Sequence, residues 1–108
     1  MSTYENLSLF IDGKMTSGDS GAGSDVLNPS TNAVLAKLPH AKKPELDRAL
    51  AAADKGFKVW KQINSFERAK VLRKAADLMR ARVDDIARVL TLEQGKTLME
   101  SKVEILAG

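Results

Sequence analysis

The amino-terminal part of the chain alternates apolar and polar positions with a period near two, and from Lys43 onward the spacing lengthens to about 3.6. Leu7-Ser8-Leu9-Phe10-Ile11 reads as a short strand that ends at Asp12-Gly13, a dipeptide suited to the tight turn of a hairpin. The stretch from Thr16 to Asp25 carries turn-forming residues and no apolar run, so a surface loop is expected there. Val26-Leu27 then leads into Asn28-Pro29-Ser30-Thr31-Asn32, and Val34 to Leu38 leads out. Pro29 sets its own φ and Asn32 tolerates a left-handed conformation, which predicts a second hairpin.

The helical part opens with Pro44 in the first turn, where a missing N–H costs nothing, and Glu45 at the positive helix end. Leu46, Ala49, Leu50, Ala53 and Phe57 form one apolar face, Gly56 weakens the last turn, and Trp60 is expected to pack beneath the following connection. A second helix starts near Asn64 and Glu67, which have capping-box spacing, with Ser65 as the competing cap. Phe66, Ala69, Leu72, Ala76 and Met79 are its expected buried stripe. A third helix runs from about Val83 through Ile86, Val89 and Leu90 to Glu93-Gln94, with Gly95 as its stop. A fourth begins near Thr97. The expectation is an α+β chain, residues 1–42 supplying hairpins and residues 43–108 about four amphipathic helices, within one incomplete domain. Helices with apolar stripes need a sheet or another helix layer to cover, and this chain offers little, so it reads as cut from something larger.

Composition narrows the chemistry. The 108 residues are 44% hydrophobic and 29% charged, values ordinary for a soluble globular protein. No apolar run approaches the ~20 residues that span a bilayer, and the start from Met1 to Asn6 lacks the marks of a secretion signal, which makes the cytoplasm the default compartment. There is no cysteine, which excludes a disulfide, a thiolate metal site or a thiol nucleophile on this chain. His40, the single histidine, is expected in a loop without a partner. The net charge of +3 is small. Lys70, Arg73, Lys74, Arg80 and Arg82 gather on the second helix, and a basic face of this kind is the case for a nucleic-acid binder through residues 65–82. Glu67, Asp77, Asp84 and Asp85 break up its field and no aromatic is interleaved for base stacking, so a solvated face, with no nucleic acid, is the preferred reading. A stand-alone helical interaction module is the other alternative.

Read in order, several segments carry a resemblance. They are Ile11-Asp12-Gly13-Lys14, Asn28-Pro29-Ser30-Thr31 before a short strand, the helix from Ala49 to Trp60, Glu67-Arg68-Ala69 with Leu72, and Leu90-Thr91-Leu92-Glu93-Gln94-Gly95-Lys96. Together they resemble the start of the aldehyde dehydrogenase superfamily. The last run is most like the branch that oxidises succinate semialdehyde and related short acidic semialdehydes. Thr97 departs from that branch, where proline is usual, and Lys102-Val103-Glu104 stands where Lys-Gly-Glu is familiar.

The resemblance implies a parent with a Rossmann-type NAD(P)-binding domain, a catalytic domain and an oligomerisation extension, assembled as a homodimer or homotetramer. Its chemistry is attack of a cysteine thiolate on an aldehyde, hydride transfer to nicotinamide and hydrolysis of the thioester by a glutamate-activated water. All those groups belong to segments outside this chain. No catalytic or cofactor-binding residue is therefore expected here, and the chain alone is expected to be inactive and to bind neither NAD nor NADP tightly. Gly18, Gly21 and Gly23 do not make a dinucleotide fingerprint, because their spacing is wrong and an extended segment follows. Gly95-Lys96 lacks the upstream glycine of a P-loop and reads as a helix stop. The resemblance also implies a structural Na⁺ or K⁺ held by Glu93 and by backbone carbonyls near Val26 and Leu27, a donor set of the hard kind such ions prefer. Glu104 and Ile105 fall where the family's helix approaches the substrate tunnel.

Overall fold

A computed structural model describes residues 4–108; Met1, Ser2 and Thr3, part of the stretch read for a secretion signal, lie outside the described residues. Four strands come first, β1 (Leu9–Ile11), β2 (Lys14–Thr16), β3 (Gly23–Leu27) and β4 (Val34–Pro39). Four helices follow, α1 (Lys43–Trp60), α2 (Ser65–Ala81), α3 (Val83–Gln94) and α4 (Leu98–Ala107). The α+β class is as expected. Two compact units result, one holding residues 4–26 together with Val34–Ile63, the other Leu27–Ala33 with Asn64–Gly108.

In the first unit β1 and β2 form an antiparallel hairpin in the register Leu9 to Thr16, Phe10 to Met15 and Ile11 to Lys14. Asp12 and Gly13 take φ of 50° and 75° at its tip. Two left-handed residues in succession match the twist of the flanking strands, so the dipeptide does here what its chemistry predicts. Strands β3 and β4 make a separate two-stranded sheet. The loop expected up to Asp25 is shorter than the composition implied, because Gly23, Ser24 and Asp25 belong to β3. Gly23 makes this possible: a Cβ there would stand 2.6 Å from the Leu38 carbonyl oxygen, a distance only a glycine permits. His40 is in a loop as expected, but it has partners. Its N–H donates to the Ala22 carbonyl at 2.9 Å, and its Nε2 lies 3.0 Å from the Ser24 hydroxyl.

The hairpin packs on α1. Between them runs an open groove of about 480 Å³, lined by Ile11, Lys14 and Thr16 from the strands and Arg48, Ala52 and Lys55 from the helix. Glu45 is the buried residue of this unit, with 1% of its surface exposed. The apolar face read on α1 is not buried: Leu46, Leu50 and Phe57 are exposed, and Ala49 and Ala52 are the half-buried positions. The helix is thus placed by its small residues and one acid. Trp60 is half-buried at the helix end, and Gly56 does not interrupt the helix.

In the second unit α3 and α4 make the most extensive helix contact, and α2 packs on both. Ala87 and Ser101 are fully buried, and the Thr91 and Ser101 hydroxyls meet at 2.9 Å. Arg82 alone separates α2 from α3, with φ −113° and ψ 15°. Asn64 rather than Ser65 caps α2, accepting from the Glu67 N–H at 3.0 Å. The Glu67 carboxylate turns to Lys70 at 2.6 Å, so the box is used in one direction. The stripe read as buried on α2 is a second correction. Phe66 is 80% exposed, Leu72 and Met79 are exposed as well, and only Ala69 and Ala76 are half-buried. On α4, Met99, Val103 and Leu106 recur at helical spacing and are also exposed.

Large apolar side chains left in water on three helices lead to a clear expectation for the isolated chain. It should bind a hydrophobic dye, melt broadly and self-associate. Calorimetry with sedimentation tests this, and a sharp transition at a monomeric mass would contradict it.

Candidate functional site

The most densely organised polar region of the second unit is the Asn-Pro turn with the junction of α3 and α4. Asn28 builds the turn from both its main chain and its side chain. Its N–H donates to the Ala33 carbonyl at 2.9 Å, and its own carbonyl accepts from Asn32 at 2.8 Å and Thr31 at 3.3 Å. The side-chain Oδ1 accepts from the Ser30 N–H at 2.9 Å, an Asx turn that only a short polar side chain can make. Asn32 closes it in a left-handed conformation, φ 59°, as its residue type allows.

This turn rests on the end of α3. Gly95 stops the helix at φ 74° and donates its N–H to the Thr91 carbonyl at 2.9 Å. A Cβ on Gly95 would lie 2.9 Å from Pro29 Cγ and 3.9 Å from Ser30 Oγ. Gly95 therefore serves two needs at once, a left-handed backbone and a seat for the Pro29 ring. Thr97 then starts α4 with a reciprocal box: its Oγ1 accepts from the Glu100 N–H at 3.3 Å, and Glu100 Oε2 accepts from the Thr97 N–H at 3.2 Å. The Thr97 hydroxyl donates to the same carboxylate at 3.0 Å. That hydroxyl, the Thr97 N–H and the nearby Lys96 charge hold the Glu100 carboxyl below the usual carboxylate range. Lys96 Nζ pairs with Glu104, which spans the helix junction.

The Asn-Pro and Glu-Gln-Gly-Lys segments, distant in sequence, thus form one contact. The aldehyde dehydrogenase family model matches residues 15–108. The chain belongs to the aldehyde dehydrogenase family. Among solved structures, a succinate-semialdehyde dehydrogenase from Burkholderia pseudomallei is 38% identical, with a TM-score of 0.88 over 92% of this chain and 20% of that one. An NADP-dependent enzyme from E. coli is 35% identical, with a TM-score of 0.89 over 96% of this chain and 21% of that one. An NAD-dependent aldehyde dehydrogenase from Sinorhizobium meliloti is 30% identical, with a TM-score of 0.89 over 94% of this chain and 21% of that one. The chain therefore spans about a fifth of the length of these proteins.

Glu93 is exposed in the last turn of α3, two residues before the Gly95 seat. Leu27 is the last residue of β3 and opens the Asn-Pro turn, and Val26 precedes it as a half-buried strand residue. No group of three or more His, Cys, Asp or Glu side chains able to hold a metal ion occurs among the described residues. A cation at Glu93 would depend on main-chain carbonyls, which suits a monovalent ion better than a transition metal. Gly18 and Gly21 lie between β2 and β3, strand to strand, where no helix N-terminus is available for a pyrophosphate. Glu104 is exposed and paired with Lys96, and Ile105 is half-buried. On α2, Lys70 pairs with Glu67 and Arg80 with Asp77, which dilutes the basic face. No described helix is long and apolar enough to cross a membrane.

Sequence reasoning passed over the role of Pro29 against Gly95. The pairing of an Asn-Pro turn with a helix-stop glycine leaves no local trace in either segment. Gly95→Ala should destabilise the second unit by about 1–2 kcal/mol, from the left-handed backbone before any clash with Pro29 is counted. Urea unfolding followed by helicity measures this, and an unchanged midpoint would remove the seat from the account.

Proposed function

We propose that the chain is the amino-terminal part of an NAD(P)-dependent aldehyde dehydrogenase that oxidises a short acidic semialdehyde, succinate semialdehyde in particular, to the carboxylic acid. The observation that carries this is the likeness to the Burkholderia succinate-semialdehyde dehydrogenase across 92% of the chain. Thr97 as the cap of α4, where the branch usually has proline, is chemically compatible with it. Both residues start helices well, threonine by accepting from N–H groups and proline by needing none.

In this reading the whole enzyme takes NAD or NADP, which supplies the hydride acceptor, and works as a homodimer or homotetramer in the cytoplasm. This chain's own residues contribute scaffold: the hairpins, the Asn28 turn seated on Gly95, and the α3–α4 pair tied by Thr91 and Ser101. It has no cysteine, so no thioester can form on it. Glu93, with the carbonyls of Val26 and Leu27, is the proposed place of a structural Na⁺ or K⁺.

Purified chain incubated with succinate semialdehyde and NAD⁺ or NADP⁺ should give no NAD(P)H. Steady reduced cofactor above a buffer control would refute the inactivity. The same 108 residues in a longer chain carrying a cysteine and glutamate at family-like positions should turn over, and failure with succinate semialdehyde but not with other aldehydes would reject the branch. For the cation, exchanging K⁺ for a bulky organic cation should lower amide protection around residues 91–96, and Glu93→Gln should abolish the difference. Equal protection in both salts would reject that site.

A further inference from the structure

Glu45 is fully buried although it is an ionisable residue on the first turn of a surface helix. Burial of a carboxylate needs compensation, and here the compensation comes from main-chain donors on two different segments. Oε1 accepts from the Asp19 N–H at 2.6 Å, and Oε2 accepts from the Lys42 N–H at 3.0 Å. The Asp19 amide lies in the loop between β2 and β3, twenty-six residues away in sequence. Gly18, at φ 80°, presents its α-carbon to the same pocket, where a Cβ would meet Glu45 Oε1 at 3.8 Å and the His40 carbonyl at 3.4 Å. The outer side of the loop is tied by an exposed ion pair, Asp19 to Arg48 at 2.9 Å.

We propose that Glu45 is a latch that holds residues 17–22 on the first turn of α1, and that neutralising or replacing its carboxylate releases this loop as a local unit while α1 stays folded. The loop's remaining tethers are the Asp19–Arg48 pair, the His40 N–H to the Ala22 carbonyl at its far end where β3 begins, and short-range turn bonds, Gly18 N–H to Thr16 Oγ1 and Ala22 N–H to Ser20 Oγ. Exposed pairs and local turn bonds contribute little to holding distant segments together. The carboxylate joins a loop donor and a helix-cap donor at once. Release also parts Asp19 from Arg48, so the groove beside β1 and β2 would gain an unpaired guanidinium next to Lys14.

The charged groups around the latch are Asp19 and Arg48, with Lys42 at the helix cap and His40 just before it. The N–H groups of Asp19, of Glu45 itself and of Lys42, with the Arg48 charge behind them, hold the Glu45 carboxyl below its ordinary value. A depressed carboxylate favours the closed loop at pH above the ordinary glutamate value of about 4.3, and that preference is lost as pH falls through the depressed value. The loop therefore stays latched at neutral pH and opens in acid.

Amide hydrogen exchange on the whole chain tests this. In Glu45→Gln, protection of the Asp19 and Lys42 amides should fall on the order of tenfold at neutral pH, while the amides of residues 46–58 keep theirs. Arg48→Ala should leave the Asp19 amide nearly as protected as before. Unchanged protection in Glu45→Gln, or a loss spread evenly along α1, would overturn the latch. If that variant does not fold, the unmodified chain still decides the matter. The Glu45 side-chain carbonyl resonance should titrate below the ordinary glutamate value of about 4.3, with loss of Asp19 protection following the same curve; titration at that ordinary value would overturn the proposal.

Discussion

Helices that approach closely do so over small side chains, and in this chain that requirement decides almost everything about which residues are inside. Ala87 and Ser101 are the fully buried residues of the second unit, and Gly95 receives Pro29 because a hydrogen leaves room that a methyl would fill. The Thr91–Ser101 hydrogen bond gives each of two polar side chains at the α3–α4 contact a partner. Large residues follow the opposite rule. Phe66, Met99 and Leu50 project from their helices into water, so the area that would normally stabilise a domain is unspent within the chain itself. The similar aldehyde dehydrogenases from Burkholderia and Sinorhizobium are about five times longer, which is in keeping with that distribution.

A second regularity concerns main-chain donors. Helix starts leave N–H groups that nothing in the helix can satisfy, and each of three helices here meets them with a side-chain oxygen. Glu45 serves α1, Asn64 serves α2, and Thr97 with Glu100 serves α4. The same device, in Asn28, folds the Asn-Pro turn. The motifs by which the family is recognised in this sequence are thus in large part instructions for capping and turning. Their spacing is fixed by hydrogen-bond geometry, which explains why they can mark a family.

How much of this was legible beforehand varied with the range of the interaction. The Asp12-Gly13 hairpin tip, the Asn64 cap, the Gly95 stop and the Thr97 start are each encoded within a few residues, and each was readable. The apolar stripes of α1 and α2 were readable as stripes but not as surfaces. Periodicity reports that a face is apolar and is silent on what covers it, and the alanines proved to be the contact positions. His40 carries no local sign of its partners, because Ser24 and Ala22 reach it only through strand pairing.

The sequence by itself therefore determined the succession of strands and helices, the ends of the helices, the family, and the absence of a thiol nucleophile. These depend on local backbone preference, capping chemistry and residue type. Tertiary structure alone decided that Glu45 is buried against the Asp19 amide, that Pro29 sits on Gly95, and that Ser101 rather than a larger neighbour faces α3. Each of those pairs residues far apart along the chain, and the physical reason is common to all three. A donor must find an acceptor, or a ring a space, on another segment, and no local pattern records where that segment will lie.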